Sequence, residues 1–146
     1  MKSLLKWSTT ALLVFSLHLT PAVAEQSKRF GDYVIHYNTL NTDTLNPAVA
    51  REYGIRRSKS RAMLNVSVIR ASDGKGIQAQ VTATSGMLTG HKQTLETREI
   101  REGDAVYYIS DFPVAHRDTL KFTLRVKPEG SRKTHTIAFQ EQFFTE

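Results

Sequence analysis

Apolar and polar residues alternate most cleanly between Arg61 and Arg70. Ala62, Leu64, Val66 and Val68 fall on one side, and Met63, Asn65, Ser67 and Ile69 on the other. That period of two predicts a half-buried strand with one apolar and one mixed face. The same alternation recurs at Ile77, Ala79, Val81 and Ala83 and again at Leu120, Phe122, Leu124 and Val126, each time with polar residues between. Further strands are predicted over Phe30–Tyr37, over the weaker, charge-rich Thr94–Arg101, and over His135–Phe144 with Ile137, Phe139 and Phe143 on one side. Asp73-Gly74-Lys75-Gly76 reads as a hairpin turn joining the 62–69 strand to a partner at 77–84, and Ser85-Gly86 with Gly90 as loop or bulge.

Two segments depart from alternation. Ala105-Val106-Tyr107-Tyr108-Ile109 is apolar on both faces, so it must be covered on both. Asn46-Pro47 opens the one predicted helix, which Gly54 closes, with Leu45, Val49 and Tyr53 as its apolar stripe. The two needs complement one another. The helix is therefore expected to lie over the outer face of residues 105–109, the rival cover being a second molecule. Together the pattern predicts an all-β, antiparallel, immunoglobulin-like sandwich of about seven strands with one short helix, a small closed barrel being the alternative.

The first residues are read differently. Lys2 and Lys6 precede a short apolar run, Ala11–Leu19, and Ala22-Val23-Ala24 is a small-x-small cleavage signal. This predicts a signal peptide over 1–24, removed before Glu25, and a single domain over 25–146. No later segment reaches transmembrane length. The chain has no cysteine, so neither a disulfide nor a lipidated cysteine anchor can form. A soluble, exported protein of the bacterial periplasm is expected.

Loss of Lys2 and Lys6 lowers the formal charge from +6 to +4. That excess favours anionic surfaces and is no nucleic-acid signature. It is concentrated: Arg56, Arg57, Lys59 and Arg61 fall within six residues that contain no acid, and they feed straight into the 62–69 strand. Such a loop is a candidate site for an acidic envelope protein or another anionic surface, because the planar guanidinium fork matches carboxylate and phosphate groups. The bland reading is a solvated loop whose arginines pair with nearby acids.

Other chemistry is sparse. His36, His91, His116 and His135 show no metal-ligand spacing, so no metal or cofactor is predicted. There is no nucleophile elbow or phosphate loop. Asn65-Val66-Ser67 matches a glycosylation sequon only by chance, since it lies inside a strand. Of Tyr107 and Tyr108, neighbours in one strand, one must face outward.

Phe30-Gly31-Asp32-Tyr33, the Leu45–Gly54 helix, Arg57-Ser58-Lys59-Ser60-Arg61-Ala62 and Tyr107-Tyr108-Ile109, in that order and spacing, resemble a family of small exported bacterial proteins, domain of unknown function 4426. The resemblance covers nearly all of the chain after the leader. It implies a periplasmic, single-domain, β-rich protein and carries over no catalytic or binding residue. The leading expectation is a non-enzymatic interaction module, binding through the basic loop or a sheet edge. The alternatives are an accessory enzyme with a dispersed site involving His36, His116 or Glu99, and a structural subunit of an envelope assembly. No oligomeric state is predicted.

Overall fold

A computed structural model describes residues 25–146; the expected leader, Met1–Ala24, lies outside the described residues. Among the described residues nine strands form two antiparallel sheets: β1 (Gln26–Phe30), β2 (Tyr33–Asn41), β3 (Arg61–Arg70), β4 (Ala79–Met87), β5 (Lys92–Leu95), β6 (Arg98–Glu102), β7 (Ala105–Pro113), β8 (Thr119–Pro128) and β9 (His135–Gln142). The first sheet runs β1-β2-β3-β7-β6 and the second β5-β4-β8-β9. The chain changes sheet after β3, after β5 and after β7, which gives a sandwich of two sheets and not a closed barrel.

The alternating strands place their apolar sides between the sheets. Ile35, Leu64, Val66, Val68, Phe122, Leu124, Val126 and Ile137 are all essentially inaccessible, while Val81 is only half-buried. On β8 the intervening Lys121, Arg125 and Lys127 are exposed, as a half-buried strand requires. Aromatic packing spans the sandwich: Phe122 stacks on Phe139 of the neighbouring strand and meets Phe112 of the opposite sheet.

The strand count is nine instead of about seven, for two reasons. Gln26–Phe30 is charged and mostly exposed, with no alternation to betray it; it is an edge strand held by its ladder to β2. The predicted Thr94–Arg101 strand is broken at Glu96-Thr97, where the chain leaves the second sheet as β5 and enters the first as β6. Two further expectations are corrected. The Asp73–Gly76 turn closes only a single bridge, Ile69 to Gly76, after which the chain crosses to the other sheet. Strand β3 pairs with β2 and β7, not with 77–84. Ser85 and Gly86 belong to β4, which continues to Met87.

Candidate binding site on the outer face of the first sheet

Helix α1 (Pro47–Glu52) forms where its caps predicted. The Asn46 side chain accepts the Ala48 N–H at 2.8 Å, and Pro47 occupies the first turn, where a missing N–H costs nothing. Gly54, with φ of +66°, reverses the chain, and the Ile55 N–H closes on the Ala50 carbonyl at 2.8 Å. A helix of under two turns is held by what it buries. Ala50 and Ile55 pack with Met63 of β3 and Ile109 of β7 in a second apolar cluster, flanked by Leu40, Leu45, Tyr53, Ile100 and Tyr107. The two-faced strand is thereby covered on both sides: Val106, Tyr108 and Phe112 in the main core, Ile109 under the helix. Tyr107 is the outward tyrosine of its pair and Tyr108 the inward one. The helix is turned from its expected stripe, with Ala50 buried and Val49 exposed.

The cover is incomplete. Leu45, Val49 and Tyr53 on one side and Ile100 and Tyr107 on the other bound a groove of about 260 Å³, floored by Met63, Asn65 and Ile109. The side-chain Oδ1 of Asn65 is buried there without a hydrogen-bond partner among the described residues.

The basic loop borders this end of the face. Its backbone is fixed from below by Thr42, which is fully buried. The Thr42 hydroxyl donates to the Arg56 carbonyl (2.8 Å), with the Ser58 carbonyl at 3.1 Å, and accepts the Ser58 N–H at 3.0 Å. Asn41 adds a donor to the Lys59 carbonyl at 3.2 Å. The four cations then divide. Arg57 donates to the Asp43 carbonyl at 2.7 Å. Arg61 reaches Asp111 at 2.5 Å, and Arg98 of β6 holds the other oxygen of the same carboxylate at 3.1 Å. Register puts Asp111 opposite Met63, beside Arg61 in β3, so the clasp spans three neighbouring strands. Arg56 and Lys59 are exposed, and neither makes an ion pair among the described residues.

The remaining candidates lie apart. His36 is 3.5 Å from Glu25, and His116 is 3.7 Å from Glu146. Glu99 sits across the sandwich edge, accepting from Arg101 (2.7 Å), from the Tyr108 hydroxyl (3.2 Å) and from Gln78 (3.4 Å). The Arg101 hydrogen bond, helped by Tyr108, holds the Glu99 carboxyl below the usual range. Burial pushes the Tyr108 hydroxyl up. That hydroxyl also accepts the Ala79 N–H at 2.7 Å, which ties the start of β4 to the first sheet.

Residues 27–146 match the family described as Domain of unknown function (DUF4426). The chain belongs to that family. A solved structure of a DUF4426 family protein from Pseudomonas aeruginosa is 38% identical to it, covering 84% of this chain and 96% of that one, with a TM-score of 0.73. Two structures of FetP from uropathogenic Escherichia coli share the fold at TM-scores of 0.60. A copper-bound glutamate-to-glutamine variant is 14% identical over 82% of this chain and 95% of its own. FetP as isolated after expression in the periplasm is 13% identical over 83% and 94%. No curated protein matches the chain. Among the described residues no helix is long and apolar enough to cross a membrane, and no three His, Cys, Asp or Glu side chains come together as metal ligands.

Proposed function

We propose that this DUF4426 protein is an exported, non-enzymatic binding module that recognises an anionic or acidic partner through its basic loop. The observation that carries the reading is the division of labour among the four cations. Arg61 is paired with Asp111, Arg57, itself exposed, is tethered by a hydrogen bond to the Asp43 carbonyl, and with Thr42 they fix the loop's shape. Arg56 and Lys59 are left exposed on that fixed frame. A pre-shaped loop loses little conformational freedom on binding, so its charges act at small entropic cost. Arg56→Glu with Lys59→Glu is expected to abolish capture of acidic envelope proteins by the immobilised protein. It should leave stability within about 0.5 kcal/mol, because both side chains are exposed. Equal capture by wild type and variant would sink the loop reading.

Export is part of the same proposal. It rests on the leader-like pattern of Lys2, Lys6, Ala11–Leu19 and Ala22-Val23-Ala24. FetP, a fold neighbour, was expressed in the periplasm. The intact mass of the protein recovered from the envelope is expected to begin at Glu25; a mass that retains Met1–Ala24 would refute the cleavage.

The enzymatic alternative is the weaker reading. Among the described residues His36 and His116 lie beside Glu25 and Glu146 respectively, and Glu99 beside Arg101 and Tyr108, so the three candidates share no partner. A carboxyl held low by Arg101 is also a poor proton donor near neutral pH.

A further inference from the structure

The two ends of the sandwich differ in a way that charge alone does not describe. One end gathers the basic loop, the link from β7 to β8, the turn from β4 to β5 and the segment after β9. Hydrogen bonds join these pieces. The Val114 N–H donates to the Ser60 carbonyl at 3.0 Å and the Arg117 N–H to the Phe143 carbonyl at 2.8 Å. The Asn41 amide bridges the Lys59 and Phe144 carbonyls at 3.2 and 2.7 Å. Met87 pairs with Leu120, which pairs in turn with Glu141.

Among the described residues, three of the four exposed large hydrophobic side chains are at this end: Met87 at 55%, Leu88 at 54% and Phe144 at 54%. They project from two separate segments, so they form apolar tips and not the wall of a groove. Cations surround them. Phe144 shares its Asn41 anchor with Lys59. Lys92 and Lys121 both pair with Gly86, one residue from Met87. Arg117 is exposed beside Phe143. None of these cations is in an ion pair among the described residues. The nearby acids are Asp118, which accepts the Ala115 N–H at 2.8 Å, Glu146, which faces His116, and Glu141, opposite Leu120 and in no ion pair among the described residues. The opposite end, built from the turns at Asp32, Asp73, Asp104 and Glu129, mixes these acids with exposed cations such as Lys75, Arg132 and Lys133 and has none of the exposed large hydrophobics.

We infer that this end docks on an anionic lipid surface, inserting Leu88, Met87 and Phe144 among the headgroups while Arg56, Lys59 and Lys92 meet lipid phosphates. The inference rests on the basic-loop reading and names its partner. A soluble acidic protein or a dissolved polyanion would satisfy the cations, but it gives no role to apolar tips held among them. A bilayer interface takes both, the apolar side chains at the acyl boundary and the cations at the phosphates. Long Lys and Arg stems let the charge reach the headgroup plane from beside an inserted ring.

The test is co-sedimentation of the exported protein with vesicles of phosphatidylglycerol and phosphatidylethanolamine, against vesicles of phosphatidylcholine alone and against soluble polyglutamate. Binding to the anionic vesicles only, weakened by salt, is expected. Arg56→Ala with Lys59→Ala should weaken it about 30-fold, each cation near such a surface contributing roughly a factor of five. Leu88→Ser with Phe144→Ser should weaken it by about tenfold or more without lowering the melting temperature, since both side chains are exposed. Vesicle binding unchanged by the serine pair overturns the inference. Polyglutamate binding that depends on Arg56 and Lys59, with no vesicle binding, also overturns it while leaving the loop reading intact. Vesicle binding indifferent to the Arg56 and Lys59 changes overturns the loop reading itself.

Discussion

Phe122→Ala is expected to destabilise the domain by about 3–5 kcal/mol, the range for emptying a buried aromatic site. Phe122 is 1% exposed and lies on β8, between β4 and β9 in the second sheet. Its ring stacks on Phe139 at 4.9 Å with the planes 15° apart, and meets Phe112 at 5.6 Å and Phe143 at 6.3 Å. Phe112 comes from the first sheet, so deletion of one ring loosens contact within the second sheet and across the sandwich together. Ladders to both neighbours hold the backbone in place, which limits collapse into the space left. The adjacent Thr123 points to the other face and makes the control: Thr123→Ala should stay within about 0.5 kcal/mol. Urea denaturation of the three proteins decides it. A loss under about 1.5 kcal/mol at Phe122 would mean that this ring does not bridge the two sheets.

That core was readable because burial on one face writes itself as alternation. Leu120, Phe122, Leu124 and Val126 needed no partner to be identified as inward. The cover over β7 was readable for a related reason: apolar residues at consecutive positions have nowhere wet to go, and one short helix with an apolar stripe was the available lid. The helix's rotation was not legible. Ala50 and Val49 are adjacent and both apolar, and which one faces the sheet depends on how closely the backbone approaches Met63 and Ile109.

What stayed hidden depends on strand pairing. Leu95 and Ile100 look like anchors of one strand, yet Leu95 faces the main core from the second sheet and Ile100 flanks the second apolar cluster from the first. No glycine or proline marks the change at Glu96-Thr97; it is imposed by where β4 and β7 offer free edges. The clasp on Asp111 is hidden in the same way. Arg61 is fifty residues away in sequence, and only the β3–β7 register brings the two together. Hence the basic cluster could be seen in the sequence, but not which of its cations the domain itself occupies. The apolar tips were equally hidden, because Met87 and Leu88 stand out only once the turn is known to leave the sheet.

Gly76→Ala carries the other large expected effect, and it separates two uses of glycine within one turn. Gly74 has φ of +70° and open space around it, so its need is conformational. Alanine there should cost about 1–2 kcal/mol, the penalty for a side chain in the left-handed region. Gly76 has no positive φ; its need is room. A Cβ at Gly76 would lie 2.3 Å from the Asp104 carbonyl oxygen, 3.1 Å from the Val106 nitrogen and 3.2 Å from the Ala105 Cα. All three are backbone atoms, so no side chain can swing aside. Relief must come from separating the β3–β4 turn from the β6–β7 turn. That breaks the hydrogen bond from the Gly76 N–H to the Asp104 carbonyl at 3.1 Å and disturbs the Ile69 bridge. It also pulls on Ile77, which is buried and donates its N–H to the Val68 carbonyl at 2.8 Å. A cost of about 3 kcal/mol follows, at the upper end for overpacking because the obstruction is rigid. Urea midpoints of the two variants give the comparison, with Gly76→Ala expected to be the less stable. If Gly74→Ala is the more damaging, the two turns do not approach as closely as this geometry requires.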